Sequence, residues 1–194
     1  MSTESKFAVE PITVDGFTFP SVFSFPPFFT KQPTEATWNH QATQWISLIL
    51  DYCTHHRLFS LDLTEETTRL PLFYNSSIDR RLLLPTIKLV VSRMVSEGTA
   101  AYEPTPSSKT TPSRVYVYWK KPEDWASLIT TWVKSTGQGS SIMTLYELAE
   151  ANTEFYQLPS FILSKALDVL VKSGKAQVFK GVGEEGDGVK FAIS

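Results

Sequence analysis

The chain has one cysteine and three histidines among 194 residues, and no long apolar run. A lone Cys53 cannot close an intramolecular disulfide. With no basic-then-apolar leader, the expected setting is a reducing, intracellular compartment. No stretch approaches the ~20 apolar residues that span a bilayer, so contact with a membrane is expected to be indirect. Excess charge of one sign is also missing: 18 Lys and Arg stand against 20 Asp and Glu, for a formal net charge of −2. Nucleic acid and anionic lipid are therefore not drawn in by a global field. An apolar content of 42% and an aromatic content of 13% fit folded cores, in one large or two small domains, rather than disorder.

Signatures of catalysis are equally scarce. There is no nucleophile elbow, P-loop or zinc spacing. Gly181-Val-Gly183-Glu-Glu-Gly186 spells the dinucleotide fingerprint after a strand pattern. That chemistry needs a helix N-terminus beside the pyrophosphate, and here Glu184, Glu185 and Asp187 would repel phosphate. It reads as a turn. Cys53, His55 and His56, with only His40 elsewhere, are too few for a zinc site. Cys53 shares a helical face with Ile49 and Tyr52, as a small buried residue would. The carboxylate pairs Glu65-Glu66 and Glu123-Asp124 fall where helices begin and complement the dipole. The expectation is a protein that is not an enzyme and carries no cofactor or metal.

What is abundant is phenylalanine interleaved with proline. Within residues 15–33, Phe17, Phe19, Phe23, Phe25, Phe28 and Phe29 alternate with Pro20, Pro26, Pro27 and Pro33. Proline lacks the backbone donor and clashes with the preceding turn, so an α-helix is excluded. The reading is an extended, partly pre-ordered arm whose apolar side chains dock into a groove on another protein. Each buried phenylalanine would contribute roughly 1.5–3 kcal/mol. The alternative is an arm that folds back onto its own domain.

Downstream, the chain repeats weakly. Trp45-Ile-Ser-Leu-Ile49 recurs as Trp125-Ala-Ser-Leu-Ile129, and Val95-Ser-Glu-Gly-Thr-Ala100 as Val171-Lys-Ser-Gly-Lys-Ala176. Nearly equal offsets imply two modules of one plan. In the first, Trp38, Ala42, Trp45, Ile49, Tyr52 and Cys53 mark one helix face. Thr64 is a plausible cap for a second helix, and Ile87, Val90, Val91, Met94 and Val95 mark a third that Gly98 stops. Residues 99–103 and 114–119 read as strands of a long hairpin whose loop is the proline-rich 104–112 stretch. In the second module, Pro122 opens a helix with Trp125, Leu128, Ile129, Trp132 and Val133 on its apolar face. Thr144-Leu-Tyr-Glu147 fits a capping box, and residues 159–173 form a third helix burying Leu163, Ala166, Leu167, Leu170 and Val171. Residues 176–180 and 189–193 close a second hairpin. The predicted fold class is α+β: residues 1–14 disordered, an arm at 15–33, and winged-helix domains at 34–120 and 121–194.

A winged helix invites a DNA-binding reading, the alternative function here. Its third helices should then supply a basic stripe. Residues 159–173 offer Lys165 and Lys172 with Asp168 between them, while Arg80, Arg81, Lys88 and Arg93 in the first module are scattered. Residues 1–113 carry nine basic and eleven acidic side chains, and residues 114–194 nine of each. Neither half looks like a duplex binder.

Ser24-Phe-Pro-Pro-Phe-Phe-Thr-Lys-Gln-Pro33, Trp45-Ile-Ser-Leu-Ile49 with Cys53, Trp119-Lys-Lys-Pro-Glu-Asp-Trp125, Trp132-Val133, Gly137-Gln138, Thr144-Leu-Tyr-Glu-Leu148 and Gly188-Val-Lys-Phe191 occur in this order. Together they resemble the vacuolar protein-sorting-associated protein 25 family, the small subunit of the ESCRT-II endosomal sorting complex. The resemblance implies two tandem winged helices and two copies of the chain in a Y-shaped hetero-oligomer. The partners implied are the two larger ESCRT-II subunits, vacuolar protein-sorting-associated proteins 22 and 36. The docking residues it implies are Phe19, Pro20, Phe23, Phe25, Pro26, Pro27, Phe28 and Phe29. Family members can carry two Pro-Pro-x-aromatic copies: Pro26-Pro27-Phe28-Phe29 keeps the pattern, whereas Pro20-Ser21-Val22-Phe23 lacks its second proline. The second winged helix is expected to recruit the initiating ESCRT-III subunit, vacuolar protein-sorting-associated protein 20, with Gln138, Thr144 and Glu147 as candidate contacts. The implied role is sorting of ubiquitinated membrane cargo into multivesicular bodies, by a cytoplasmic protein recruited peripherally to the endosome.

Overall fold

The computed structural model describes residues 11–104, 112–151, 153–181 and 187–193. The chain divides into two compact α+β units, Met1–Trp119 and Lys120–Ser194.

The first unit opens with a hairpin, β1 (Thr13–Val14) and β2 (Phe17–Thr18), inside and just after the stretch expected to be disordered. Its turn passes through Asp15 (φ 48°) and Gly16 (φ 81°), the two positive φ values that match the twist of paired strands. The hairpin is ordered because Phe17 is buried, edge-on to Tyr52 at 5.2 Å. Residues 1–10 lie outside the described ones. Two 3-10 turns follow, Ser21–Ser24 and Pro26–Phe29.

Helix α1 (Glu35–His55) starts where the Thr37 N–H donates to Thr34 Oγ1 at 3.3 Å. Its buried face carries Gln41, Ala42, Trp45, Ile46, Leu48, Ile49, Tyr52 and Cys53, at the helical spacing read from the sequence. Strand β3 (Ser60–Asp62) comes next. The helix expected after Thr64 is only a 3-10 turn, Glu65–Arg69, and the Thr64 side chain caps nothing. The reason is local: Leu70 precedes Pro71, which disfavours the α region, and Leu70 sits at φ −62°, ψ 146°. A small hairpin, β4 (Tyr74–Asn75) with β5 (Arg80–Arg81), occupies the space instead. Helix α2 (Leu84–Ser96) buries Ile87, Val90, Val91 and Met94. Strands β6 (Ala100–Tyr102) and β7 (Arg114–Val117) pair antiparallel, giving a sheet ordered β3-β7-β6. The hairpin expected around 104–112 is therefore present in its strands, while residues 105–111 are outside the described ones. Val115 and Val117 face the core; on the other face the Arg114 Nε–H donates to Asp62 Oδ1 at 2.7 Å.

The second unit repeats the order. Helix α3 (Pro122–Ser135) places Pro122 at its first position, and Asp124 Oδ2 accepts the Lys121 N–H at 3.1 Å. Strand β8 (Ile142–Thr144), the short α4 (Leu145–Ala149), α5 (Ser160–Lys172), β9 (Ala176–Phe179) and β10 (Gly188–Phe191) follow, with sheet order β8-β10-β9. In both units the last strand lies between the other two, which is the structural content of the sequence repeat. Trp125, Ile129, Val133, Leu148, Phe155, Leu163, Leu167, Val189 and Phe191 form the core. Two expectations need correction. Val171 is exposed, because it lies on the outer side of the last turn of α5, and Trp132 is only half-buried, edge-on to Phe155 at 5.6 Å. The glycine fingerprint falls largely outside the described residues, at 182–186, but the strands on either side of it pair with each other.

Candidate docking surfaces

Trp45 anchors the first surface. Phe28 stacks on its indole, ring centroids 4.2 Å apart and planes 5° apart, while Phe29 meets it edge-on at 5.6 Å. Phe23 packs against Phe29 at 5.2 Å and stacks on Phe19 at 4.1 Å. Phe19, Phe23, Phe28 and Phe29 are all buried in the first unit. The extended, detached arm is thus corrected. Both proline-containing steps close into 3-10 turns, with the Phe23 N–H bonded to the Pro20 carbonyl and the Phe28 N–H to the Phe25 carbonyl, and four of the predicted docking phenylalanines fill their own core. The apolar area of these rings is sufficient reason, since an uncovered α1 face lay beside them.

Burying this backbone requires donors for its carbonyls. Buried donors come from Trp45, Asn75 and Gln41, and the Gln32 side-chain amide adds exposed bonds to Pro27 O at 3.0 Å and Thr30 O at 2.9 Å. The Trp45 Nε1–H donates to Phe28 O at 3.0 Å, and the Asn75 Nδ2–H donates to Phe23 O at 2.7 Å. The Gln41 amide donates to Phe28 O at 2.7 Å and Thr30 O at 2.9 Å, and its oxygen accepts the Gln32 N–H at 3.1 Å. Gln41 and Asn75 are two of the few buried polar residues, and both are consumed in holding this segment. The sequence reading missed them: Asn75 lies 52 residues from Phe23, with no local signal, whereas a glutamine on the apolar face of α1 was visible.

Pro20, Phe25, Pro26 and Pro27 stay outside. Phe25 is 58% exposed, an unusual state for the residue centred between two aromatic clusters. It borders an open groove of about 510 Å³, walled by Val22, Phe25, Pro27 and Phe28 on one side and by Thr37, His40 and Gln44 of α1 on the other. No lysine, arginine or carboxylate lines it.

The second surface lies on the other unit. Glu147 and Gln138 share one depression of about 370 Å³, and Glu147 and Thr144 another of about 440 Å³ that runs to Phe179 and Gly188. All three candidate residues are therefore brought together around the start of α4. Glu147 has a structural task as well: its Oε2 accepts the Thr144 N–H at 2.7 Å, and its own N–H donates to Thr144 Oγ1 at 3.1 Å. Ile142, 69% exposed, and Phe179 line the larger depression, and Tyr146, next to Glu147 in α4, is 74% exposed; none of these apolar residues was singled out from sequence. Adjacent apolar residues in β9, Val178 and Phe179, break the alternation of a half-buried strand and were the available signal.

Cys53 is buried, and burial pushes its thiol up to about 12, so it is a neutral packing residue. His55 and His56 pack edge-on to each other and against Phe17. Among the described residues no group of three His, Cys, Asp or Glu could hold a metal ion, and no helix is long and apolar enough to cross a membrane.

Each unit carries an open surface depression bordered by exposed apolar side chains, Phe25 in the first and Ile142 and Phe179 in the second. The family model for ESCRT-II complex subunits matches residues 22–159, and this chain belongs to that family. It is 36% identical over 179 residues to vacuolar protein-sorting-associated protein 25 of Danio rerio, covering 90% of this chain and 98% of that one. It is 35% identical to the Homo sapiens protein of the same name, covering 90% and 97%. Among solved structures it is similar to subunit VPS25 of the endosomal trafficking complex ESCRT-II, at TM-score 0.77 and 32% identity over 88% of this chain and 98% of that one. It also matches a chain in the endosomal complex ESCRT-II of VPS22, VPS25 and VPS36, at TM-score 0.76 and 31% identity over 89% and 98%.

Proposed function

We propose that this chain is the small, non-catalytic subunit of an ESCRT-II assembly, built from two tandem winged helices. It joins larger subunits of the VPS22 and VPS36 kind through its proline/aromatic segment, and two copies enter each complex. Its second unit recruits an initiating ESCRT-III subunit of the vacuolar protein-sorting-associated protein 20 kind, through the surface around Gln138, Thr144 and Glu147. The assembly works in the cytoplasm, held peripherally at the endosomal membrane, to sort ubiquitinated cargo into multivesicular bodies.

The observation that carries this reading is membership of the ESCRT-II subunit family, with similarity over nearly the whole length of the relatives. In each unit a first helix, a strand, a last helix and a closing hairpin follow in that order along the chain, with the last strand central in the sheet, and this supports the winged-helix description. Support for the docking role comes from Phe25, Pro26 and Pro27, an exposed apolar step fixed on a rigid base. Of the predicted docking set, the buried members Phe19, Phe23, Phe28 and Phe29 serve by shaping that step, and Pro20 flanks it.

The test is native mass spectrometry after co-expression with VPS22- and VPS36-type subunits. A complex with two copies of this chain and one of each larger subunit is expected. A chain that stays alone under conditions where the larger subunits pair with each other would overturn the proposal.

A further inference from the structure

We infer that Gln41 is a positioning residue for assembly: its side chain sets the shape in which the Phe25-Pro26-Pro27 step meets its partner. The inference rests on the docking role proposed above.

A single buried carboxamide serves three backbone groups of residues 28–32. It donates to Phe28 O and Thr30 O and accepts from the Gln32 N–H, with Pro27 O 3.3 Å from the same nitrogen. Proline gives this stretch no N–H at positions 26, 27 and 33. Beyond the Phe28 and Thr30 turns its local bonds come from the Gln32 side-chain amide, which donates in exposed bonds to Pro27 O at 3.0 Å and Thr30 O at 2.9 Å. The buried bonds come from Gln41 and from the Trp45 indole N–H on Phe28 O. A carboxamide both donates and accepts at one planar head, which is what carbonyls and an N–H side by side require, and here glutamine carries it.

The second unit has the corresponding helix without this group. Trp45 and Trp125 occupy equivalent places in the repeat, and the residue four positions earlier is Gln41 in one and Lys121 in the other. Both tryptophans are buried. In the first unit the indole is covered by Phe28 at 4.2 Å; in the second, the Lys120 ammonium lies 5.3 Å from the ring centroid. Gln41 is thus present where the proline/aromatic segment covers the helix and replaced where it does not.

A segment loosened on one flank populates its docking shape only part of the time, and apparent affinity falls by that fraction. The experiment compares full-length wild type, Gln41→Ala and Phe25→Asp for binding to a purified VPS22/VPS36-type pair by stopped-flow or surface plasmon resonance. Amide hydrogen exchange at Thr30 and Gln32 is read in parallel, with exchange in α2 of the same unit as the folding control. For Gln41→Ala we expect faster exchange at Thr30 and Gln32, unchanged exchange in α2, and roughly tenfold weaker binding that resides in the association rate. A contact residue, such as Phe25, should instead change mainly the dissociation rate. If Gln41→Ala loosens the segment yet binds as wild type does while Phe25→Asp binds weakly, positioning by Gln41 is wrong and docking through the segment stands. If Gln41→Ala leaves exchange unchanged, the inference is likewise overturned. If Phe25→Asp binds as tightly as wild type, the docking role fails and takes the inference with it.

Discussion

The Phe28 ring lies parallel to the Trp45 indole at 4.2 Å, and the carbonyl of the same phenylalanine accepts the indole N–H at 3.0 Å. One residue is therefore held through both its ring and its backbone, at the centre of the first unit's aromatic cluster. Phe28→Ala should lose about 3–5 kcal/mol of stability in that unit, the range for a buried phenylalanine. Urea unfolding followed by tryptophan fluorescence would check it. Deleting residues 1–33 should lower the melting temperature of the first unit still further; an unchanged value would mean that the segment contributes nothing to its own domain.

Gly139 is constrained by close approach. The Ile193 N–H donates to its carbonyl at 2.9 Å, and a Cβ placed there would collide with Ile193 O. Since that neighbour is backbone, it cannot swing away without breaking the pairing of residues 191–193 with 139–141. Gly139→Ala should cost about 1–3 kcal/mol and speed amide exchange at Phe191 and Ile193. Normal protection at both amides would refute this account of the C-terminal strand.

Glu147 caps α4, and the docking role proposed for the same face is tested at a residue outside that cap. Glu147→Ala removes the capping box and should cost about 0.5–2 kcal/mol of unit-two stability in thermal unfolding. Tyr146→Asp leaves the cap residues in place but puts charge on the exposed apolar surface. It should weaken capture of an ESCRT-III subunit with little change in stability. Wild-type capture by a folded Tyr146→Asp protein would remove this face from the proposed site.

Burial raises the Cys53 thiol from 9.0 to about 12. Below pH 9 the thiol is protonated in both folded and unfolded chains. Between pH 9 and about 12 the unfolded chain releases that proton and the folded chain keeps it, so this contribution to stability falls as pH rises. Cys53→Ala should show a shallower loss of stability than wild type across that window, by denaturant titration. In the native state the thiol should resist a disulfide reagent at pH 8 and react only on unfolding.

How much of this was legible in the sequence depends on distance along the chain. α1, α2, α3 and α5 were marked by apolar spacing, and the Thr144–Glu147 box by its four residues, because both signals are local. The expected helix after Thr64 was lost to Pro71, whose effect on Leu70 outweighed a good cap residue and two acidic followers. The path of the proline/aromatic segment was not legible, since composition said only that the rings would be buried, not by whom. The deciding partners, Trp45, Gln41 and Asn75, lie 9–52 residues away from the atoms they hold. Phe25 could not be told from Phe23 or Phe28 until the 3-10 turns fixed which rings point inward.

The central claim is that the outward residues of this segment join the chain to its complex while the inward ones hold it to its own domain. Affinity capture from cell extract with quantitative mass spectrometry, comparing wild type with Phe25→Asp, tests it most directly. Because Phe25 is exposed, the variant should melt within a degree or two of wild type yet lose the larger ESCRT-II subunits. Equal recovery of those subunits by both proteins would contradict the claim and place the assembly contact elsewhere on the chain.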